Sequence, residues 1–196
     1  MIGGLVLAAG AGTRFGGAKQ LAELDGRPML EHAVGAMVAA PLGRVFVVLG
    51  ARAAEVRRGV DLRGAGVVVC DAWAEGQSAS LRAGIAALAA CDAVVVALGD
   101  QPFLSPVAVE RVLHARTSGA DAVRATYGGL AGHPVLLEQS LFGRVASLRG
   151  DAGARALLDD VRVREVACDG LGRPDDIDTP DQLGPASGTT KEAITT

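Results

Sequence analysis

Aromatic side chains are scarce in this sequence of 196 residues, at 3% of the total. A ligand cage built by stacking is therefore not expected, and the lone Trp73 reads as a packing residue before a stacking platform. Lysine is rarer still: beside 17 arginines there are two, Lys19 and Lys191. Basic charge is not in excess, since the net charge is −3, and this argues against a dedicated nucleic-acid binder. No apolar run approaches the roughly 18 residues of a membrane span. The opening MIGGLVLAAG has no basic leader and runs straight into a glycine-rich loop, so it reads as structure and not as a signal peptide. The three cysteines, Cys70, Cys91 and Cys168, are odd in number and in no metal-like spacing. A reducing cytoplasm is the simplest setting for them.

What the chain does contain is alternation. Short Val/Leu runs at Gly3–Ala8, Arg44–Leu49, Gly66–Cys70 and Ala93–Leu98 are separated by Ala-rich stretches at helical spacing, Pro28–Ala40, Ala51–Arg58 and Ser78–Ala90. Ser78 is a candidate N-cap for the third of these, after a loop over Asp71–Gln77. Ser105 caps a further helix that starts at Pro106. Strands apolar on both faces, alternating with helices, imply a parallel sheet covered on both sides. The expected fold is a three-layer α/β/α, Rossmann-like domain with a mostly parallel sheet. The second half is less regular, with strands expected at Asp121–Thr126, His133–Leu137 and Arg162–Ala167 and helices near Ser140–Ala146 and Gly153–Leu158. One domain over residues 1–184 and a disordered polar tail over residues 185–196 complete the expectation.

The segment LVLAAGAGTRFGGAKQL (Leu5–Leu21) is the most informative. A buried strand runs into a loop with Gly10, Gly12, Gly16 and Gly17, followed by Lys19. Such a loop can turn backbone N–H groups into an anion site, and Arg14 and Lys19 add full charges suited to a polyphosphate. Two familiar phosphate motifs fail on spacing. Phe15 sits where the dinucleotide fingerprint needs its third glycine, and no acid ends the second strand, which closes Val48-Leu49-Gly50. The Walker A spacing between Gly12 and Gly17 is followed by Ala18, which leaves Lys19 one place late. A plain flexible βα loop stays open as the bland alternative.

Three other stretches carry possible chemistry. AVVVALGDQP (Ala93–Pro102) puts Asp100 at the end of a buried strand, where ligands of open α/β sheets bind. A carboxylate there suits Mg²⁺, which takes one or two carboxylates plus phosphate oxygens, although Asp100 could also simply cap a helix. DAWAEGQSASLRAG (Asp71–Gly84) offers Gly76 for close backbone approach and the hydroxyls of Ser78 and Ser80. PDDIDTPDQL (Pro174–Leu183) holds Asp178 and would by itself be a solvated turn and helix start.

Taken in order, these strings resemble a known family. L-A-A-G-x-G-x-R-F-G-x-x-K looks like the phosphate loop of nucleotidyltransferases with the nucleotide-diphospho-sugar transferase fold. G-D-Q-P and D-I-D-T-P-D resemble the metal motifs of molybdenum-cofactor nucleotidyltransferases, and G-x-S-x-S-L resembles their loop beside the nucleotide. GHPVLL (Gly132–Leu137) and LRGDAGAR (Leu148–Arg155) resemble the half that receives the pterin in the cytidylyl branch. Phe15 departs from the usual Met without removing a charge.

The resemblance implies CMP transfer from CTP to the terminal phosphate of molybdopterin or molybdenum cofactor, with pyrophosphate released. Asp100 and Asp178 would bind Mg²⁺, with Mn²⁺ as the alternative. Arg14 and Lys19 would contact the phosphates, and Leu7, Ala8, Ala9, Gly10, Gly12, Gly76, Ser78 and Ser80 would line the nucleotide. Leu7-Ala8-Ala9-Gly10 matches the cytidylyl form of the loop, whose extra methyl leaves less room and so favours the smaller pyrimidine. The implied partners are CTP, the pterin and, transiently, a molybdenum hydroxylase, for a monomeric cytoplasmic protein that binds neither nucleic acid nor membrane. A sugar-phosphate or methylerythritol-phosphate cytidylyltransferase, a guanylyltransferase and a non-catalytic cofactor carrier are the competing expectations. His133 could touch substrate or be structural. Asp151 and Arg155 could form a cap and ion pair.

Overall fold

The computed structural model describes residues 1–183. The tail expected at 185–196 lies outside the described residues. Strand β1 (Ile2–Ala8) leads through the glycine loop to a two-residue hairpin, β2 (Glu23–Leu24) and β3 (Arg27–Pro28), and then to helix α1 (Met29–Ala39). Next come β4 (Arg44–Leu49), α2 (Ala53–Gly59), β5 (Gly66–Val69), α3 (Gln77–Ala87), β6 (Ala93–Leu98) and α4 (Pro106–His114). The second half adds β7 (Ala122–Tyr127), β8 (Leu130–Glu138), α5 (Phe142–Ser147), α6 (Arg155–Leu158) and β9 (Val163–Ala167). No helix among the described residues is long and apolar enough to cross a membrane.

Seven strands form one sheet in the order β5-β4-β1-β6-β8-β7-β9. The β5–β4, β4–β1, β1–β6 and β7–β9 pairs are parallel, while β8 runs antiparallel to both β6 and β7. Strand side chains alternate between faces, and here both faces are apolar. Val6 and Ala8 of β1 join Val95 and Ala97 of β6 under α1, α2 and α4. Leu5 and Leu7 join Val94 and Val96 on the opposite face, under α3, α5 and α6. The fold is therefore the expected α/β/α sandwich with a mostly parallel sheet.

The topology positions the site. From β1 the chain builds outward through β4 and β5, then returns to lay β6 on the other side of β1. Loops leaving the carboxyl ends of β1 and β6 thus part in opposite directions, the arrangement at which open α/β sheets bind ligands. Leu7 pairs with Leu98, and Gly99 N–H donates to the Leu7 carbonyl at 2.9 Å. The strand-end Asp100 is thereby held beside the glycine loop.

Several local expectations change. Asp71–Glu75 forms a 3₁₀ helix instead of a loop, and α3 begins at Gln77 and ends at Ala87. Ser78 does not cap it: Gly76 holds the N-cap position, and Ser78, wholly buried, accepts a hydrogen bond from Arg82 Nη1 at 3.2 Å. Ser105 does cap α4, accepting from Val107 N–H at 3.2 Å. The expected strand His133–Leu137 is longer, because a Gly128-Gly129 turn folds β8 back along β7. The β2–β3 hairpin turns at Asp25 and Gly26, both with positive φ, as the Asp-Gly signal allows. Asp151 and Arg155 form no ion pair among the described residues, and α6 starts without a side-chain cap.

Gly84 of α3 lies directly on β1, where an added Cβ would sit 2.4 Å from Leu5 Cδ1 and 3.0 Å from its Cγ. Alanine would favour the helix by about 1 kcal/mol. Leu5 is wholly buried and cannot turn aside, and overpacking costs about 1–3 kcal/mol. Gly84→Ala should therefore lower the urea midpoint of unfolding; a raised midpoint would show that the sheet yields to the extra methyl.

Candidate active site

The loops after β1 and β6 and the start of α3 enclose a cleft of about 600 Å³, the size of a typical small-molecule site. Leu7–Phe15, Lys19 and Gln20 form one wall. Trp73, Ala74, Gly76, Gln77 and Ser80 form another, and Leu98, Gly99, Asp100, Asp151 and Asp178 complete it. Every residue expected to hold metal, phosphate or nucleotide lies in this lining except Ser78, which is buried within the first turn of α3; His133 is not among the lining residues.

The first loop owes its shape to two residues. Gly12 has φ +65°, and a Cβ there would lie 2.2 Å from the Gly17 carbonyl oxygen, so only glycine fits. Its own carbonyl accepts from the N–H groups of both Phe15 and Gly17. The second is Gln20, buried, whose Nε2 donates to the carbonyls of Ala8 and Gly10 at 2.9 Å each. Because a trans peptide points its C=O and N–H in opposite directions, the N–H groups of Ala9 and Ala11 face away from Gln20. Gln20 Oε1 is buried without a partner. A penalty of about 1–3 kcal/mol attaches to such an atom, so the side chain serves the loop's geometry at some cost to stability.

Three charged residues from distant parts of the chain meet at the cleft floor. Lys19 Nζ donates to Asp100 Oδ2 at 2.7 Å and to Asp178 Oδ1 at 3.1 Å. Arg14 Nη1 lies 2.9 Å from Asp178 Oδ2. Burial works against the Lys19 ammonium, but the charge and hydrogen bonds of Asp100, then of Asp178, outweigh it and hold its pKa above the usual lysine value. The hydrogen bond from Lys19 pulls the Asp178 carboxyl below the usual range, helped by the charges of Lys19 and Arg14. Neighbouring Asp176 moves the other way: burial raises it, and the charges on Asp100 and Asp178 add to that.

The two carboxylates fit a divalent cation. Both already converge on one cationic atom, and carboxylate oxygens are the hard donors that Mg²⁺ and Mn²⁺ select. Among the described residues there is no group of three or more His, Cys, Asp or Glu that could hold a metal. An ion bound by Asp100 and Asp178 would therefore draw its other ligands from water and substrate phosphates.

Sequence reasoning did not single out Gln20, Gln77 or Gln101. Neutral amides carry no spacing signal, and only the fold shows which carbonyls they reach. The close backbone approach expected at Gly76 is made by Gly150: with φ +111°, a Cβ on Gly76 would lie 2.4 Å from the backbone of Gly150. That contact seats the Leu148–Asp151 loop on the start of α3, where Arg82 also donates to the Leu148 carbonyl at 2.6 Å. Asp151 thereby enters the cleft wall. Trp73 packs on the second core face, as expected, and also lines the cleft.

The family model for the MobA-like NTP transferase domain matches residues 4–166, and the chain belongs to that family. It is 36% identical over 191 residues to nicotine blue oxidoreductase of Paenarthrobacter nicotinovorans, covering 92% of this chain and 93% of that protein. Among solved structures it resembles Rv0371c of Mycobacterium tuberculosis H37Rv, with 34% identity, a TM-score of 0.82 and coverage of 93% and 96%. That protein's complex with manganese gives 33%, 0.77 and coverage of 92% and 94%. A nucleotidyl transferase from Methanothermobacter thermautotroptrophicus gives 30%, 0.76 and coverage of 91% and 92%.

His133 lies on β8 two residues before Val135, which pairs with Val96 of β6. Burial pushes its imidazole down to about 4, against the opposing pull of Asp100, so it is neutral near pH 7. A folded pKa below the unfolded one gives stability that is complete above about 6.5 and lost as pH falls toward 4. Since His133 keeps a partly exposed edge, the loss should be about 2 kcal/mol. Denaturant midpoints measured from pH 7.5 to 4 should fall in wild type and stay flatter in His133→Gln. Equal slopes would remove His133 as the source.

Proposed function

We propose that the chain transfers the cytidylyl group of CTP to the terminal phosphate of a molybdopterin-type cofactor, giving the cytosine dinucleotide and pyrophosphate. The observation that carries this reading is the meeting of Lys19 with Asp100 and Asp178 beside the glycine loop. The substrate phosphate oxygen attacks the α-phosphorus, the bond to the β-phosphate oxygen breaks, and the electron pair leaves with pyrophosphate. Such transfers rest on positioning and charge neutralisation. Lys19 and Arg14 offset charge gathering on the pyrophosphate, and the N–H groups of the glycine loop orient the triphosphate. A phosphate nucleophile is ionised near neutral pH, so no general base is required.

Asp100 and Asp178 would hold Mg²⁺ or Mn²⁺, which supplies Lewis-acid polarisation of the phosphoryl oxygens. The manganese complex of Rv0371c supports a divalent ion in this family. Gly76 and Ser80 lie on the wall opposite the glycine loop and would meet the nucleoside, while the methyl of Ala9 narrows the base site toward a pyrimidine. The pterin would enter from the side of β8 and the Leu148–Asp151 loop. The product would pass to a molybdenum hydroxylase. We infer one catalytic domain over residues 1–184, working as a cytoplasmic monomer.

The name of the P. nicotinovorans relative supports a second reading, an oxidoreductase reaction in the same cleft. One experiment separates the two: pyrophosphate release with each NTP, with and without molybdenum cofactor, run beside reduction of nicotine blue by a supplied two-electron donor. CTP with cofactor should give the fastest release. Reduction of nicotine blue with no pyrophosphate from any NTP would replace the proposal. Asp100→Ala should abolish turnover while the protein stays folded. Lys19→Ala should weaken CTP binding roughly 10–100-fold, the worth of a charge-assisted hydrogen bond. Ala9→Gly should relax rejection of GTP; an unaltered CTP:GTP ratio would place base choice elsewhere.

A further inference from the structure

Asp178 sits on a segment with no regular structure of its own, between β9 and the 3₁₀ turn Pro180–Leu183. A carboxylate on such a segment reaches a fixed position only if the segment is tied down. Locally, Gln182 Oε1 accepts from the N–H groups of Asp178 and Thr179 at 2.6 and 2.8 Å; the other backbone ties come from the loop that carries Asp100. Gln101 Nε2 donates to Asp176 Oδ1 at 2.7 Å and to the Pro174 carbonyl at 3.1 Å. Ile177 N–H donates to the Asp100 carbonyl at 3.0 Å, and the Ile177 side chain is buried beside Leu24 and Met29. Arg173 N–H donates to the Phe103 carbonyl at 3.3 Å, with its guanidinium stacked 3.9 Å from the Phe103 ring centre. Gln101 itself is only 6% exposed.

Gln101 is the only side chain among these ties that spans from the Asp100 loop to a carboxylate beside Asp178. Its amide has to donate: both partners are oxygen acceptors, so a carboxylate or an apolar side chain there would leave both without the donor that joins them to the Asp100 loop. We propose that Gln101 is a positioning residue, and that its hydrogen bond to Asp176 holds Asp178 at the distance from Asp100 that a shared divalent cation needs. Asp176 in this arrangement is an acceptor on which the clamp closes. The inference rests on the metal-binding reading of Asp100 and Asp178. Partners behind ligands of this kind typically change metal affinity about 10–100-fold.

The test is Mn²⁺ binding, followed by the electron paramagnetic resonance of free Mn²⁺, with the metal alone and with a non-hydrolysable CTP analogue. Gln101→Leu and Asp176→Ala should each weaken Mn²⁺ roughly tenfold or more. Their double variant should lose no more than the worse single one, since both remove one bond. Asp176→Asn is the decisive control, because its amide oxygen can still accept from Gln101 while the charge is gone. Affinity near wild type in Asp176→Asn supports the clamp. Affinity as low as in Asp176→Ala overturns it in favour of a direct charge effect. Wild-type Mn²⁺ affinity in Gln101→Leu likewise overturns the clamp while leaving the metal site standing, whereas no Mn²⁺ binding by wild type overturns both. Thermal melting of each variant identifies any that fail to fold, and the Asp176 pair then decides.

Discussion

An ammonium group held between two carboxylates organises the functional end of this protein. Lys19 is 14% exposed at its side chain, and a charge in so dry a place is tolerable only when paired and hydrogen-bonded. Asp100 and Asp178 are in turn two like charges brought close together, which the lysine offsets. Each member makes the others affordable. Because the three come from the first loop, a central strand end and the C-terminal segment, their meeting requires the sheet to be assembled. It also gives a reason for lysine at position 19 in a chain with 17 arginines and one other lysine: a compact ammonium with three donors can serve two carboxylates in a narrow space, where a planar guanidinium would need a wider opening. Arg14, at the exposed rim, has that room.

The sheet delivers these groups through register. Both faces of β1 and β6 are packed in dry cores, so a slip of one residue would be costly on either side. Leu7 is thereby fixed beside Leu98, and whatever follows each strand emerges side by side. Local chemistry does the rest. Gly12 permits the tight turn, Gln20 holds the carbonyls of Ala8 and Gly10, and Gly76 lets the Leu148–Asp151 loop close over the start of α3. The same division between rigid strands and shaped loops explains how one family can carry relatives as different in name as a nucleotidyl transferase and an oxidoreductase.

Much of this was legible in the residues. Both-face apolar strands and intervening helices announced the α/β/α fold, and the loop from Gly10 to Lys19, with Asp100 and Asp178, marked the cleft. The signals that misled were local. Ser78 has the right chemistry for a cap, but Gly76 in its positive-φ conformation takes that position and leaves the serine inside the first turn. Asp151 and Arg155 are spaced for an ion pair, but the close seat of Gly150 on Gly76 turns Asp151 to the cleft. The Asp25-Gly26 hairpin has a plain turn signal, but its strands of two residues each are too short to show an alternating pattern.

Sequence alone determined the main strands and helices of the first half, the family resemblance and the identity of the charged residues, because periodicity and motif spacing are local properties written along the chain. Only the tertiary structure decided that Lys19 bridges Asp100 and Asp178, that Ser78 is withdrawn from the cleft, and that Gln20 and Gln101 hold its walls. Those facts depend on contacts between residues tens of positions apart, and a neutral amide shows its purpose only when the carbonyl or carboxylate it serves has been brought within about 3 Å.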